Sequence, residues 1–297
     1  MTEAKKGNMF IVGEMVIWSL FPVLGILGFN GLPFVVSLFW VNLLATVFFL
    51  VLMSIRGKWS ELKNLLVWKY TLGVVLFICV LFYGFYFYGL QSTVPANASI
   101  VALFEVVPTY IFFQMIRKEH FDSKHIIGII LGVIGVLIVL LPKSDGFRYG
   151  DLIILCATIF PPIGNFYQQK VRKIASAETI LLLRHALTLP FLLLVMYIMG
   201  SSVSFQAIKP VFGWILLNGI VVFGISKILW VEGIHRMSVT RAIAISGLNP
   251  IFTVLFAWLL IHQLPTASQL LALPFLIASI LILTNFKFKK EFLPNKV

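Results

Sequence analysis

Four ionisable residues sit deep inside long apolar stretches of this sequence: Glu14, Glu105, Arg184 and Lys227. A charge at the centre of a lipid-embedded helix costs roughly 2.5–3.5 kcal/mol on insertion scales, so such groups face a bundle interior or a water-filled cavity. Asn97, Glu105 and Thr109 recur at spacings of eight and four, along one helical face. Pro108 beside them removes a helical hydrogen bond and frees backbone carbonyls. A carboxylate placed this way binds a cationic group of a substrate or carries a coupling proton. The alternative is a structural pair with a Lys or Arg of another helix. Lys227 shares a face with Phe223, Gly224 and Trp230. It would bind a carboxylate or phosphate, or else snorkel towards headgroups or neutralise Glu14. Arg184, on a face with Thr188, reads as an anion-binding or gating group. Glu14, in a stripe with Trp18, Pro22 and Gly25, reads as half of a gate ion pair with Arg184 or Lys227.

Uncharged polar residues form a second tier. Asn165 lies with Thr158 and Gln168 beside Pro161-Pro162, and Asn249 lies with Ser246 and Thr253 beside Pro250. Interhelical hydrogen bonding explains any one of these equally well. Tyr83, Tyr86 and Trp230 would line a cavity and stack on a ligand. The expected substrate-binding set is therefore Glu105, Lys227, Asn97, Asn165, Asn249, Tyr86 and Trp230, with Glu14 and Arg184 as a gate or ion pair. A site holding both Glu105 and Lys227 suits a zwitterion such as an amino acid. Catalytic patterns are missing: there is no H-E-x-x-H, no G-x-S-x-G, no cysteine cluster and no glycine-rich phosphate loop. This argues against an enzyme, a metal site, a cofactor and ATP-driven transport. Cys79 and Cys156 lie in apolar runs and read as small buried hydrophobes.

The elements that must position these residues follow from composition. The chain has 297 residues, 60% hydrophobic and 11% charged, with a mean hydropathy of +1.01. Ordinary soluble domains are nearer 45–50% apolar and about 25% charged. That excludes a soluble enzyme, a disordered chain and a nucleic-acid-binding domain. Apolar runs long enough to cross a bilayer number ten: 9–29, 34–54, 70–90, 96–116, 125–142, 150–169, 178–199, 211–233, 242–261 and 268–286. They are continuous rather than alternating, which argues for helices and against a barrel. Placing the N-terminus in the cytoplasm puts 18 of the 23 Lys and Arg on that side and three on the other. The net charge of +12 is thus a topology signal with both termini inside. A plasma membrane, of the bacterial inner-membrane kind, is the expected location. A metabolite and the bilayer are the expected partners, with proton coupling and a monomer or homodimer left open.

Ten spans divide into two sets of five, 1–145 and 146–297. A shift of 142 lays Trp18-Ser19-Leu20 on Phe160-Pro161-Pro162 and Pro108 on Pro250. A shift of 144 lays Gly128, Gly132 and Gly135 on Ala272, Leu276 and Ser279. Because five is odd, the halves enter the membrane in opposite senses, as two inverted repeats. Ala96-Asn97-Ala98-Ser99-Ile100-Val101, Pro108, Arg117-Lys118-Glu119 and the run Gly128 to Pro142 resemble the end of an EamA repeat. So do Thr240-Arg241-Ala242, Asn249-Pro250 and the run 268–286, and Gly150-Asp151-Leu152 resembles the opening of one. Over nearly its whole length the chain resembles the ten-helix EamA branch of the drug/metabolite transporter superfamily. It departs from the family pattern at His262-Gln263-Leu264-Pro265, Glu105 and Asn42. The resemblance implies an all-α membrane protein that moves a small organic metabolite by alternating access. A channel, a non-transporting scaffold and a membrane-embedded enzyme are the alternatives.

Overall fold

The computed structural model describes residues 3–29, 31–117, 123–141, 148–202 and 204–284. Every regular element within them is helical. Seven stretches are long and apolar enough to cross a membrane: α1 (Lys5–Phe29), α2 (Phe34–Arg56), α3 (Leu65–Leu90), α4 (Pro95–Ile116), α6 (Tyr149–Arg172), α7 (Ala177–Ile198) and α8 (Phe205–Arg236). An eighth, α9, is a pair, Val239–Ser246 and Asn249–Ile261, bent by 40°. Two apolar helices, α5 (Lys124–Leu140) and α10 (Ala267–Leu283), are shorter. Their 17 described residues reach about 25 Å at 1.5 Å per residue, the lower end of the ~17–25 residues a span takes. The basic loop at Lys118–His120, the junction between residues 145 and 146 and the C-terminal lysines lie outside the described residues.

Local chemistry sets the helix ends. Asn64 caps α3 by accepting the Leu66 N–H at 3.0 Å. Ser176 and Ser238 open α7 and α9 in the same way, and Thr266 with Gln269 forms a capping box on α10. Gly57 ends α2 at φ 63°, a left-handed conformation that glycine adopts without strain. Prolines set the breaks within spans. Pro22, Pro108, Pro161 and Pro250 each lack the N–H that would bond the carbonyl one turn back. The chain responds with a turn at Ser19-Leu20 in α1, a 3₁₀ turn at Leu103–Glu105 in α4, turns over 158–160 in α6 and at Gly247-Leu248 in α9. The breaks in α1 and α6, and those in α4 and α9, correspond under the repeat. A third pair of irregularities carries no proline: α3 widens to a π-helix over Val75–Phe82 and α8 over Asn218–Ser226.

Packing follows the same two-fold relation. Helix α2 lies on α7, α5 on α10 and α4 on α9, while α1 packs on α8 as α6 packs on α3. The glycine ladder of α5 is the seam with α10. A Cβ at Gly128, Gly132 or Gly135 would lie 2.9, 2.8 or 2.7 Å from Leu283, Ser279 and Leu276 respectively. Small residues let the two backbones approach without a solvent-driven hydrophobic force. Large apolar side chains such as Ile55, Leu65 and Tyr197 face outward, 76–83% exposed, as a lipid-facing surface demands. Cys79 is buried, but Cys156 is exposed on α6. That corrects its reading as a core residue: an apolar run in a membrane helix has a lipid face as well as a packed one.

Candidate functional site

The proline breaks of α1, α4, α6 and α9 meet around one central cavity. Glu14, Trp18 and Pro22 line it from α1, and Tyr83 and Tyr86 from α3. Ser99, Leu103 and Glu105 come from α4, Pro161 and Asn165 from α6. Arg184 comes from α7, Lys227 and Trp230 from α8, Ser246, Asn249 and Thr253 from α9. Both repeats contribute. The cavity measures about 110 Å³, small beside the ~300–1,000 Å³ of pockets for drug-sized ligands. Of the nine residues singled out from the sequence, eight line it; Asn97 does not.

Two of its four charges neutralise each other. Lys227 Nζ lies 3.1 Å from Glu14 Oε1 and 3.3 Å from the centre of the Trp18 ring. Ser226 Oγ also donates to Glu14. The pair is nearly inaccessible, with side chains 6% and 3% exposed. It is the ion pair that sequence depth allowed for Glu14, with Lys227 rather than Arg184 as partner. Arg184 is 1% exposed. Its Nη1 donates to Gln168 Oε1 at 3.0 Å and its Nη2 to the Tyr83 hydroxyl at 2.9 Å. Its Nε has no hydrogen-bond partner among the described residues. Glu105 sits at the 3₁₀ turn, half-buried, and forms no ion pair or hydrogen bond with a described residue.

Neutral groups complete the lining. Trp230 Nε1 donates to Asn165 Oδ1 at 3.1 Å. Ser19, at the break of α1, donates to Asn249 Oδ1 at 2.6 Å, and Thr253 donates to the Ser19 carbonyl at 2.9 Å. Ser19 ties the two breaks together and was not singled out from the sequence; its position three residues before Pro22 is the one signal that could have found it. Trp18, Phe21, Tyr83, Tyr86, Phe87 and Phe223 form a continuous aromatic cluster, with neighbouring ring centroids 4.2–6.4 Å apart.

Asn97 belongs to a different network, at the end of the bundle away from most of the basic residues. Its Nδ2 donates to Asp151 Oδ2 at 2.7 Å, and its Oδ1 accepts from Gln269 Nε2 at 2.6 Å. Thr93 donates a short bond to the other Asp151 oxygen. All of Asn97, Asp151 and Gln269 are 1–2% exposed. This corrects the expectation for Asn97. It shares a helical face with Glu105 but lies two turns away, where α6 and α10 close over it and occupy both ends of its amide. The basic end is tied differently, by ion pairs: Arg172 to Glu232 at 2.6 Å, Arg236 to Glu3 at 3.0 Å, and Arg236 to Glu232.

Among the described residues no three His, Cys, Asp or Glu side chains are grouped to hold a metal ion. The cavity between the repeats offers charges, amides and aromatic rings.

Comparison with known proteins agrees with this architecture. The model of the EamA-like transporter family matches twice, at residues 5–141 and 148–285. The chain is 24% identical over 229 residues to "Uncharacterized transporter YyaM" of Bacillus subtilis (strain 168), covering 73% of each chain. It is 20% identical over 300 residues to "Uncharacterized transporter YoaV" of the same organism, covering 96% of this chain and 99% of that one. A solved chain described as "Crystal structure of protein" superposes with a TM-score of 0.68 at 17% identity, over 94% of this chain and 96% of that one, and so shares its fold. With two family matches spanning nearly the whole sequence and a polar cavity between them, the chain belongs to the EamA-like transporter family: it is a multi-pass membrane transporter, not an enzyme.

Proposed function

We propose that this transporter carries a small zwitterion, an amino acid or close relative, by alternating access of the central cavity between its two inverted repeats. The observation that carries the reading is Glu105, an acidic side chain that lines a membrane-embedded cavity and makes no hydrogen bond or ion pair with a described residue, feeling Lys227 only at longer range. Such a carboxylate is expensive to keep there unless a ligand cation or a proton neutralises it. The small cavity volume favours an amino-acid-sized solute over a large drug or nucleotide-like one. Asn165, Asn249, Tyr86 and Trp230 supply hydrogen bonds and stacking around it. Glu105 also serves as the site for a coupling proton. The lysine and arginine distribution supports both termini on the cytoplasmic side; a plasma membrane, and export or exchange of the substrate, are part of the proposal.

The test is amino-acid counterflow in liposomes reconstituted with wild type, Glu105→Gln and Lys227→Ala proteins of equal insertion. The reading expects Glu105→Gln to lose most of the flux. Wild-type rates in both variants would overturn it. Flux of the same amino acid under a pH gradient of either sign tests the coupling proton, and identical rates in both directions would remove it.

A further inference from the structure

We infer that Arg184, rather than Lys227, receives the carboxylate of the substrate, in the cavity that Glu105 also lines. This rests on the zwitterion reading above and assigns its anionic half. Lys227 has its positive charge matched: Glu14 lies at 3.1 Å and the Trp18 ring at 3.3 Å. A carboxylate arriving at Lys227 would sit beside that of Glu14, and like charges at such range repel strongly in a low-dielectric site. Arg184 is in the opposite condition. It is 1% exposed, and the groups in contact with it are the amide of Gln168, the hydroxyl and ring of Tyr83, and the thiol of Cys79, all neutral, while the nearby charge of Lys227 is of its own sign. Neither it nor Glu105 forms an ion pair with a described residue.

A guanidinium stays protonated and carries five N–H donors. A buried one with neutral partners and an unmet Nε is an anion site lacking its anion. Its planar fork matches a carboxylate, which can accept two parallel bonds. Gln168 and Tyr83 act as positioning residues, each holding one Nη. Tyr83 and Glu105 belong to the first repeat, Gln168 and Arg184 to the second. A zwitterion spanning Glu105 and Arg184 therefore ties the two halves together through its own charges, whereas the Glu14–Lys227 pair does so without any ligand.

The experiment is ligand-induced thermal stabilisation of the purified protein. The probes are the twenty protein amino acids, the carboxamide of each binder and its deaminated carboxylic acid. The proteins are wild type, Arg184→Gln, Arg184→Lys and the double variant Glu14→Gln/Lys227→Met. In wild type the carboxamide should bind at least about tenfold more weakly than the amino acid, as expected for a lost charge-assisted bond. In Arg184→Gln that discrimination should collapse to near one, and Arg184→Lys should restore part of it. The double variant should keep it. Loss of discrimination in the double variant with retention in Arg184→Gln would assign the carboxylate to Lys227, overturning the inference and leaving the zwitterion reading intact. Equal binding of amino acid and carboxamide by wild type would overturn it with no variant involved. If deaminated acids bind through Arg184 as tightly as amino acids, the zwitterion reading falls and the anion site stands. If neither amino acids nor carboxylates bind wild type, both fall.

Discussion

Gly150 offers a test in which two physical effects have opposite signs. It lies near the start of α6, where that helix crosses the end of α3. A Cβ there would sit 2.2 Å from the Gly89 carbonyl oxygen and 2.8 and 2.9 Å from the Ser92 carbonyl carbon and oxygen. These are backbone atoms, so no rotamer change relieves the clash; the helices must separate by about 1 Å to restore ordinary contact. The next residue, Asp151, holds Thr93 and Asn97 of the first repeat through its two oxygens. Separation would strain or break both bonds. Overpacking alone costs ~1–3 kcal/mol, and a lost bond to a charged group another ~1.5–3 kcal/mol. Helix propensity works the other way, favouring alanine by up to ~1 kcal/mol. The net expectation for Gly150→Ala is a loss of about 2–5 kcal/mol, or a fall in melting temperature on the order of 3–8 °C for a chain of this size. Gly84, also helical but with nothing within 4 Å of its added Cβ, is the control, and Gly84→Ala should be neutral or slightly stabilising. Fluorescence-monitored melting of the two proteins in the same detergent reads the difference. If Gly150→Ala melts within a degree of Gly84→Ala, the close backbone approach does not exist as described.

Removing either partner of the Glu14–Lys227 pair should cost about 3–5 kcal/mol by leaving a buried charge unmatched, whereas Glu14→Gln/Lys227→Met should recover most of that loss; a double variant less stable than both singles, by the same melting assay, would refute the pairing. Asp151→Ala should selectively open the end of the bundle away from most of the basic residues, seen as faster hydrogen exchange in residues 93–99 and 267–271 and unchanged exchange at the Arg172–Glu232 end; uniform change would count against a local seal. Glu61, on the turn between α2 and α3, has its carboxyl held below the usual value of 4.5. Burial pushes it up, but the Ser176 N–H and the hydroxyls of Thr179 and Ser176 outweigh this by hydrogen bonding to the ionised form. A depressed folded value means the stabilisation is fully present above about 4.5 and disappears as the pH falls through the lower folded value. Melting curves of wild type should therefore lose stability over that acid window, and Glu61→Gln should show a smaller loss there; parallel profiles would contradict the assignment.

The helices and their irregular points were unequally legible. Apolar runs locate every span, and prolines mark the four breaks, because a missing N–H is a local property written in one residue. The π-helical stretches of α3 and α8 left no trace: Val75–Phe82 and Asn218–Ser226 contain neither proline nor a distinctive composition. They widen where they pack, which is a tertiary matter. The same division runs through the site. Depth along a span puts Glu14, Arg184 and Lys227 in the cytoplasmic third and Glu105 near the midplane, yet all four line one cavity. Their pairing was not readable, since it depends on which helices touch. Helical periodicity put Asn97 on the face of Glu105 without revealing that α6 and α10 converge over that end. Apolar runs also located α5 and α10, but not that their glycine seam makes each the other's main packing partner.

The four proline breaks have a mechanical consequence. All border the cavity, so each of α1, α4, α6 and α9 can be treated as two rods joined at a break. In a lever, displacement grows with distance from the fulcrum. A tilt of about 10° at such a joint moves a helix end ten residues away, ~15 Å along the axis, by ~2.6 Å, yet moves a residue one turn away by under ~1 Å. Side chains at the fulcrum, Glu105 and Asn249 among them, would keep nearly constant spacing while either mouth of the bundle widens. A solute held there would be gripped about equally whichever side it faces, the condition under which a carrier can both load and release it.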